Sequence, residues 1–144
     1  MITMTEELKQ KLLAFGNGAE PFIAHNHIKV TDLADGEATV TLPLEKDSLN
    51  RWNTPHGGVL FTMADVANGM ATLTLRQESC VTVNATIDFI SAAAAEETLT
   101  AVGKVRQMGG KVSFCTTEIT DGRGKLIARL NSVMFFTGKA LPLA

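Results

Sequence analysis

Five residues with the means to do chemistry fall within sixteen positions: Asn50, His56, Gly57, Gly58 and Asp65. Asp65 is the one ionisable residue inside the apolar segment Val59–Leu75. An unpaired carboxylate is costly to bury, so it needs a reason to be there. A carboxylate partly withdrawn from water is also a stronger base. Gly57 and Gly58 stand where the apolar segment begins. The first N–H groups of a helix have no intrahelical partner and carry partial positive charge, so they can hold an oxygen on which negative charge develops. A glycine there lets another molecule come close to the backbone. His56 could add a side-chain bond or hold the turn, and both readings stand. The plainer reading of Asp65 is a structural carboxylate bonded to Asn68 or to backbone.

These residues need a helix beneath them. Pro55 near its first position, with Asn53 or Thr54 just before, is a helix-start signal. Val59–Leu75 is apolar on nearly every side, as a helix buried all round would be. It is almost long enough to span a bilayer, but Asp65, Asn68 and Gly69 lie mid-segment without basic flanks, so a core helix is expected and no membrane.

Around this helix the chain reads as strands. Asn26–Leu33 and Glu37–Leu44 alternate and meet at Ala34-Asp35-Gly36, a hairpin signal. Four more strands are expected over Cys80–Ser91, Thr98–Gln107, Lys111–Asp121 and Lys125–Thr137. Met108-Gly109-Gly110 and Asp121-Gly122-Arg123-Gly124 mark antiparallel turns between the last three. Thr5 caps a short helix that stops at Gly16 or Gly18. His25 and His27 would share one face of an extended segment; no further ligands accompany them, so no metal is expected. The chain is expected to be one domain over 1–144, with an N-terminal helix and lead-in over 1–22 and a loose tail over 138–144. One helix wrapped by an antiparallel sheet of five to six strands is an α+β arrangement. A single sheet leaves edge strands uncovered, and dimerisation at an edge is the expected remedy.

Composition narrows the partners. With 13 Lys and Arg against 15 Asp and Glu, the net charge is −2, and there is no basic run to suggest nucleic acid. Met1–Gln10 holds Glu6, Glu7 and Lys9 and no apolar signal core. Cys80 and Cys115 have no motif spacing and read as buried free thiols in a reducing compartment, so a cytoplasmic protein is expected.

The element order and the motif Asn50-x5-His56-Gly57-Gly58-x6-Asp65 resemble the hotdog-fold acyl-CoA thioesterases, the phenylacetyl-CoA thioesterase branch above all. The resemblance covers roughly Ile23–Thr137. It implies a hotdog fold and hydrolysis of acyl-CoA thioesters, with CoA arriving as part of the substrate and no separate cofactor. It implies Gly57 N–H as the donor to the thioester carbonyl and Asp65 as general base or nucleophile. It further implies that Asn50 places the thioester or water, and that Thr82 supports the acid where several relatives have Ser. Gly110-Lys111 would border the CoA moiety, with Gly58, Arg51 and Arg106 also on the CoA side; Arg129 is a further cation. The plain alternatives are an ordinary strand threonine and solvated surface charges. Many relatives carry Arg-Pro or Ser-Pro after the third strand, whereas this chain has Ser91-Ala92-Ala93, which bears on the pocket rim and hence on the substrate. Apolar residues around Phe61, Met63, Met70 and Phe89 suit an aromatic or medium-chain acyl group.

Two further functions fit the same fold: a non-catalytic acyl-CoA sensor, which would lack the acid, and a dehydratase or hydratase, which would need a His–acid pair set elsewhere. Geometry adds one expectation. Gly57 and Asp65 are eight residues apart on one helix, so roughly 12 Å apart along its axis. Both can act on one thioester only from different subunits, so the resemblance implies a dimer, or a homotetramer built as a dimer of dimers.

Overall fold

The computed structural model of the protein describes residues 4–18 and 20–143. Residues 1–3, 19 and 144 lie outside it, and with them parts of the expected lead-in and tail.

Helix α1 runs Glu6–Gly16, with the Thr5 side chain accepting from Leu8 N–H and two glutamates in its first turn. Asn17 ends it and ties it to the sheet: its amide donates to Val30 O at 2.8 Å and accepts from Val30 N–H at 2.9 Å. A second helix, α2, spans Pro21–His25, so His25 is helical where an extended segment through His25 and His27 was expected. Pro21 supplies the preset φ of a first helical residue. His25 is the last residue of α2 and His27 follows in the left-handed region at φ 61, so the two do not share a strand face. Strand β1 therefore begins late, at Lys29–Ala34, and turns at Gly36 (φ 71) into β2, Glu37–Pro43.

Helix α3, Gly57–Leu75, follows. After it come β3 (Glu78–Phe89), β4 (Thr98–Met108), β5 (Val112–Thr120) and β6 (Leu126–Ala140). The six strands form one sheet in the order β1-β2-β4-β5-β6-β3, antiparallel throughout. The chain leaves β2, runs through α3 and re-enters at the far edge as β3, so α3 lies across the inner face. Leu60, Met63, Ala64, Ala67 and Ala71 of α3 meet Val40, Leu42, Leu99, Ile119 and Leu130 in the core. At Gly103 of β4 the helix comes so near that a Cβ there would stand 2.6 Å from the Ala67 carbonyl.

Three expectations change in detail. Asp65, Val66 and Gly69 are only partly buried, so α3 is open along one side rather than buried all round. Met63 is fully buried in the core and cannot line a pocket. The chain beyond Gly138 is not a loose tail throughout: β6 continues to Ala140, opposite Glu78, and Leu141 and Leu143 pack against the core.

Candidate active site

The site starts in the loop ahead of α3. Asn50 organises that loop through its own carbonyl oxygen. Oδ1 accepts from Trp52 N–H at 2.9 Å, Thr54 N–H at 3.2 Å and the Thr54 hydroxyl at 3.2 Å. The Asn50 backbone N–H donates to Thr54 O at 2.8 Å. With Oδ1 fully used, Asn50 can offer only its NH2 group to a ligand. Pro55 bridges to Leu49 and does not open the helix; His56 does. The His56 Nδ1 accepts from Gly58 N–H at 2.9 Å, which caps the first turn. That bond puts the neutral ring's proton on Nε2. His56 thus holds the turn, and its Nε2–H remains a donor. Gly58 N–H is taken up by the same cap. Gly57 N–H, by contrast, has no acceptor among the described residues.

Two turns along α3 lies the second half. The Thr82 hydroxyl of β3 donates to Asp65 Oδ1 at 2.6 Å, a short, charge-assisted bond. The same hydroxyl is 3.2 Å from Met134 Sδ. Asn68 is not the partner of Asp65: it donates to Ser132 Oγ at 2.8 Å and accepts from the Thr117 hydroxyl at 2.6 Å. Asp65 and Thr82 open into a cavity of about 680 Å³ between α1, α3 and β3, walled by Phe15, Gly16, Met70, Cys80 and Met134. Burial pushes the Cys80 thiol up to about 11, with Cys115, Asp65 and Glu78 adding repulsion, so it serves this wall as a small apolar group.

The residues expected to act together thus form two groups. Asn50, His56 and Gly57 surround the start of α3, and Asp65 and Thr82 share the cavity roughly 12 Å further along the same helix. The expected CoA cations disperse. Arg106 donates from Nε to Thr116 Oγ1 at 2.7 Å on the outer sheet face, opposite α3. Arg129 is paired with Glu118 at 2.7 Å. Arg51 is exposed in the loop beside Trp52. Lys111 sits in the β4–β5 turn with Gly110, and that turn is clamped by Arg76, whose guanidinium donates to Gly109 O and Gly110 O at 3.0 Å each. The same guanidinium lies 4.1 Å over the Phe136 ring. No sequence motif announced Arg76, because its partners are more than thirty residues away. The helix-start site also has a neighbour that spacing could not show: Phe89, at the end of β3, abuts Gly57.

A long helix laid across one open antiparallel sheet, with a carboxylate on its exposed side and an N–H at its start that is unpaired among the described residues, is the arrangement of the hotdog thioesterases. The chain belongs to the Thioesterase superfamily, whose family model matches residues 53–128, and is a thioesterase by that membership. It is 33% identical over 101 residues to the acyl-coenzyme A thioesterase PaaI of Escherichia coli, covering 70% of this chain and 71% of the relative. The structure of the E. coli PaaI protein from the phenylacetic acid degradation operon superposes with a TM-score of 0.83 at 28% identity, over 93% of this chain and 99% of that one. A hypothetical thioesterase of Streptococcus pneumoniae, solved with coenzyme A, gives a TM-score of 0.74 at 27% identity, over 78% and 88%.

Proposed function

We propose that this protein hydrolyses acyl-CoA thioesters to free CoA and a carboxylic acid, at a site shared between two copies of the chain. The observation that carries the reading is the separation just described. A carboxylate held by Thr82 in a cavity and a Gly57 N–H unpaired among the described residues lie on one helix, too far apart to meet on one thioester. Strand β3 supplies the means to join them. It is a sheet edge of 12 residues with Val81 and Val83 exposed, the kind of edge that a second strand covers. Two copies paired there would set Asn50, His56 and Gly57 of one beside Asp65 and Thr82 of the other. Two such dimers would make the homotetramer.

In that site the thioester carbonyl accepts from Gly57 N–H, which stabilises the oxyanion as the tetrahedral species forms. Asp65 takes a proton from water, which adds to the carbonyl carbon; alternatively the carboxylate itself adds first. Thr82 holds Oδ1 and leaves the other carboxylate oxygen for this work. Collapse breaks the C–S bond, and the proton on Asp65 leaves with the CoA thiol. On the nucleophilic route collapse instead leaves an acyl–Asp65 anhydride and CoA thiolate. Water then hydrolyses the anhydride to the carboxylic acid and a protonated Asp65, which passes its proton to the thiolate. Asn50 NH2 and His56 Nε2–H are the remaining donors at the mouth. The relatives support CoA as the leaving half: one is an acyl-coenzyme A thioesterase and another was solved with coenzyme A. CoA comes with the substrate, and no further cofactor enters the scheme. Cys80 and Cys115 are free thiols, which suits the cytoplasm.

The test is complementation. Asp65→Ala and Asn50→Ala, each inactive alone, are co-expressed with different tags and the mixed dimers purified. Thiol release from a panel of short, medium, long and aryl acyl-CoA esters should return to about half the wild-type rate, since one site per dimer is intact and the sites are taken as independent. Folded mixed dimers without recovery would refute the shared site. Saturable acyl-CoA binding by the wild type without thiol release would instead mark a sensor.

A further inference from the structure

Gly57 is not a glycine for reasons of backbone. It is the first residue of α3 and has no positive φ, so alanine could adopt the same backbone. It is a glycine for reasons of space. A Cβ at residue 57 would stand 3.0 Å from Cζ and 3.2 Å from Cε1 of Phe89, so the tip of that ring fills the place of a side chain. Burial does not hold the ring, since Phe89 is 58% exposed. Its backbone does. Phe89 pairs with Ala128, and the next two N–H groups, of Ile90 and Ser91, both donate to Ile127 O at 2.8 and 3.1 Å.

We propose that Phe89 is the specificity-determining wall of the thioester site, and that it excludes acyl groups branched at the carbon next to the carbonyl. The inference rests on the hydrolase reading above, in which Gly57 N–H holds the carbonyl oxygen. An oxygen about 3 Å from that nitrogen brings the thioester up to the residue whose Cβ place the ring tip fills, and the proposal turns the acyl side of the carbonyl toward the ring. A straight or arylmethyl acyl group passes; a methyl on the first carbon meets Cζ. Truncating the ring makes room and lengthening it removes more.

The experiment compares hexanoyl-CoA with 2-methylhexanoyl-CoA for the wild type, Phe89→Leu and Phe89→Tyr, by thiol release. One methyl group in an apolar pocket is worth roughly 10- to 200-fold in kcat/KM. The straight-to-branched ratio should fall at least about tenfold in Phe89→Leu and rise in Phe89→Tyr. A purely structural role would change stability and leave this ratio alone. A second readout tests the contact itself. Gly57→Ala should lower Tm in the wild type and raise it, or leave it level, in the Phe89→Ala background. Turnover with an unchanged ratio in folded variants overturns the inference and leaves the hydrolase reading standing. No thiol release from any acyl-CoA by the wild type overturns both.

Discussion

Replacing Asp65 by Asn isolates the proton-accepting role from everything else that side chain does. Asn keeps the shape and keeps an Oδ1, so the Thr82 hydroxyl can still donate across the 2.6 Å now observed. The bond changes from charge-assisted to neutral, which costs about 1 kcal/mol of stability. The side chain is only partly buried, so no desolvated charge is exchanged and the fold should survive. Catalysis should not. A positioned base contributes about two to four orders of magnitude, or roughly 2.7 to 5.4 kcal/mol of barrier. Thr82→Val removes the hydroxyl and leaves the carboxylate, which then turns freely. A hydrogen bond to a charged group is worth about 1.5–3 kcal/mol, and only its orienting share is lost from the rate, so kcat should fall roughly tenfold. The order of the two effects is the signature: Asp65→Asn well below Thr82→Val, both with KM close to wild type. Saturating thiol-release kinetics measure kcat, and a circular-dichroism melt establishes folding. A well-folded Asp65→Asn protein turning over at the wild-type rate would refute the catalytic assignment and return Asp65 to a structural role.

Three other outcomes follow from packing and burial. Asn68→Leu leaves Ser132 and Thr117 without their buried partner, and urea unfolding should show a loss of about 2–4 kcal/mol; a change under about 0.5 would mean that water replaces the amide. Gly103→Ala sets a Cβ 2.6 Å from the Ala67 carbonyl and 2.9 Å from Asn68 N, backbone atoms that cannot swing aside, so α3 must lift from β4. The cost should be about 3 kcal/mol, seen as a Tm lowered by roughly 6–12 °C, and an unchanged Tm would contradict that contact. Cys80, raised from 9.0 to about 11, keeps its proton at pH 8, so iodoacetamide should label it about a hundredfold more slowly than an ordinary thiol. Peptide mapping should show that rate climbing until near pH 11; a plateau near pH 9 would contradict the buried wall.

What the chain discloses about itself depends on how far apart its interacting parts lie in sequence. Alternation and Gly-rich turns are local, so the strands of the β4–β5–β6 run stand within a few residues of where the pattern puts them. Helix α3 is legible for the same reason, through an unbroken apolar run. Helix α2 is not: at five residues it is too short to show a period, and its start signal, Pro21, reads equally as a turn. The opening of α3 is legible to within a residue or two through Pro55 and the glycine pair, but its cap is not, because a histidine ring does the capping through Nδ1. The site divides in the same way. Asn50, His56, Gly57 and Asp65 form one local motif, but the partners that give them a role arrive from β3. Thr82 is 17 residues beyond Asp65, and Phe89 is farther still from Gly57. No spacing rule reaches across a strand and a loop to a ring tip. The one long-range conclusion that sequence does permit comes from helical rise, because eight residues on a rigid helix separate donor from carboxylate whatever the remainder of the chain does. Under the proposed function, that separation is what calls for a second copy. The exposed Val81 and Val83 on the edge strand β3, which no spacing rule could place, are where the proposal seats it.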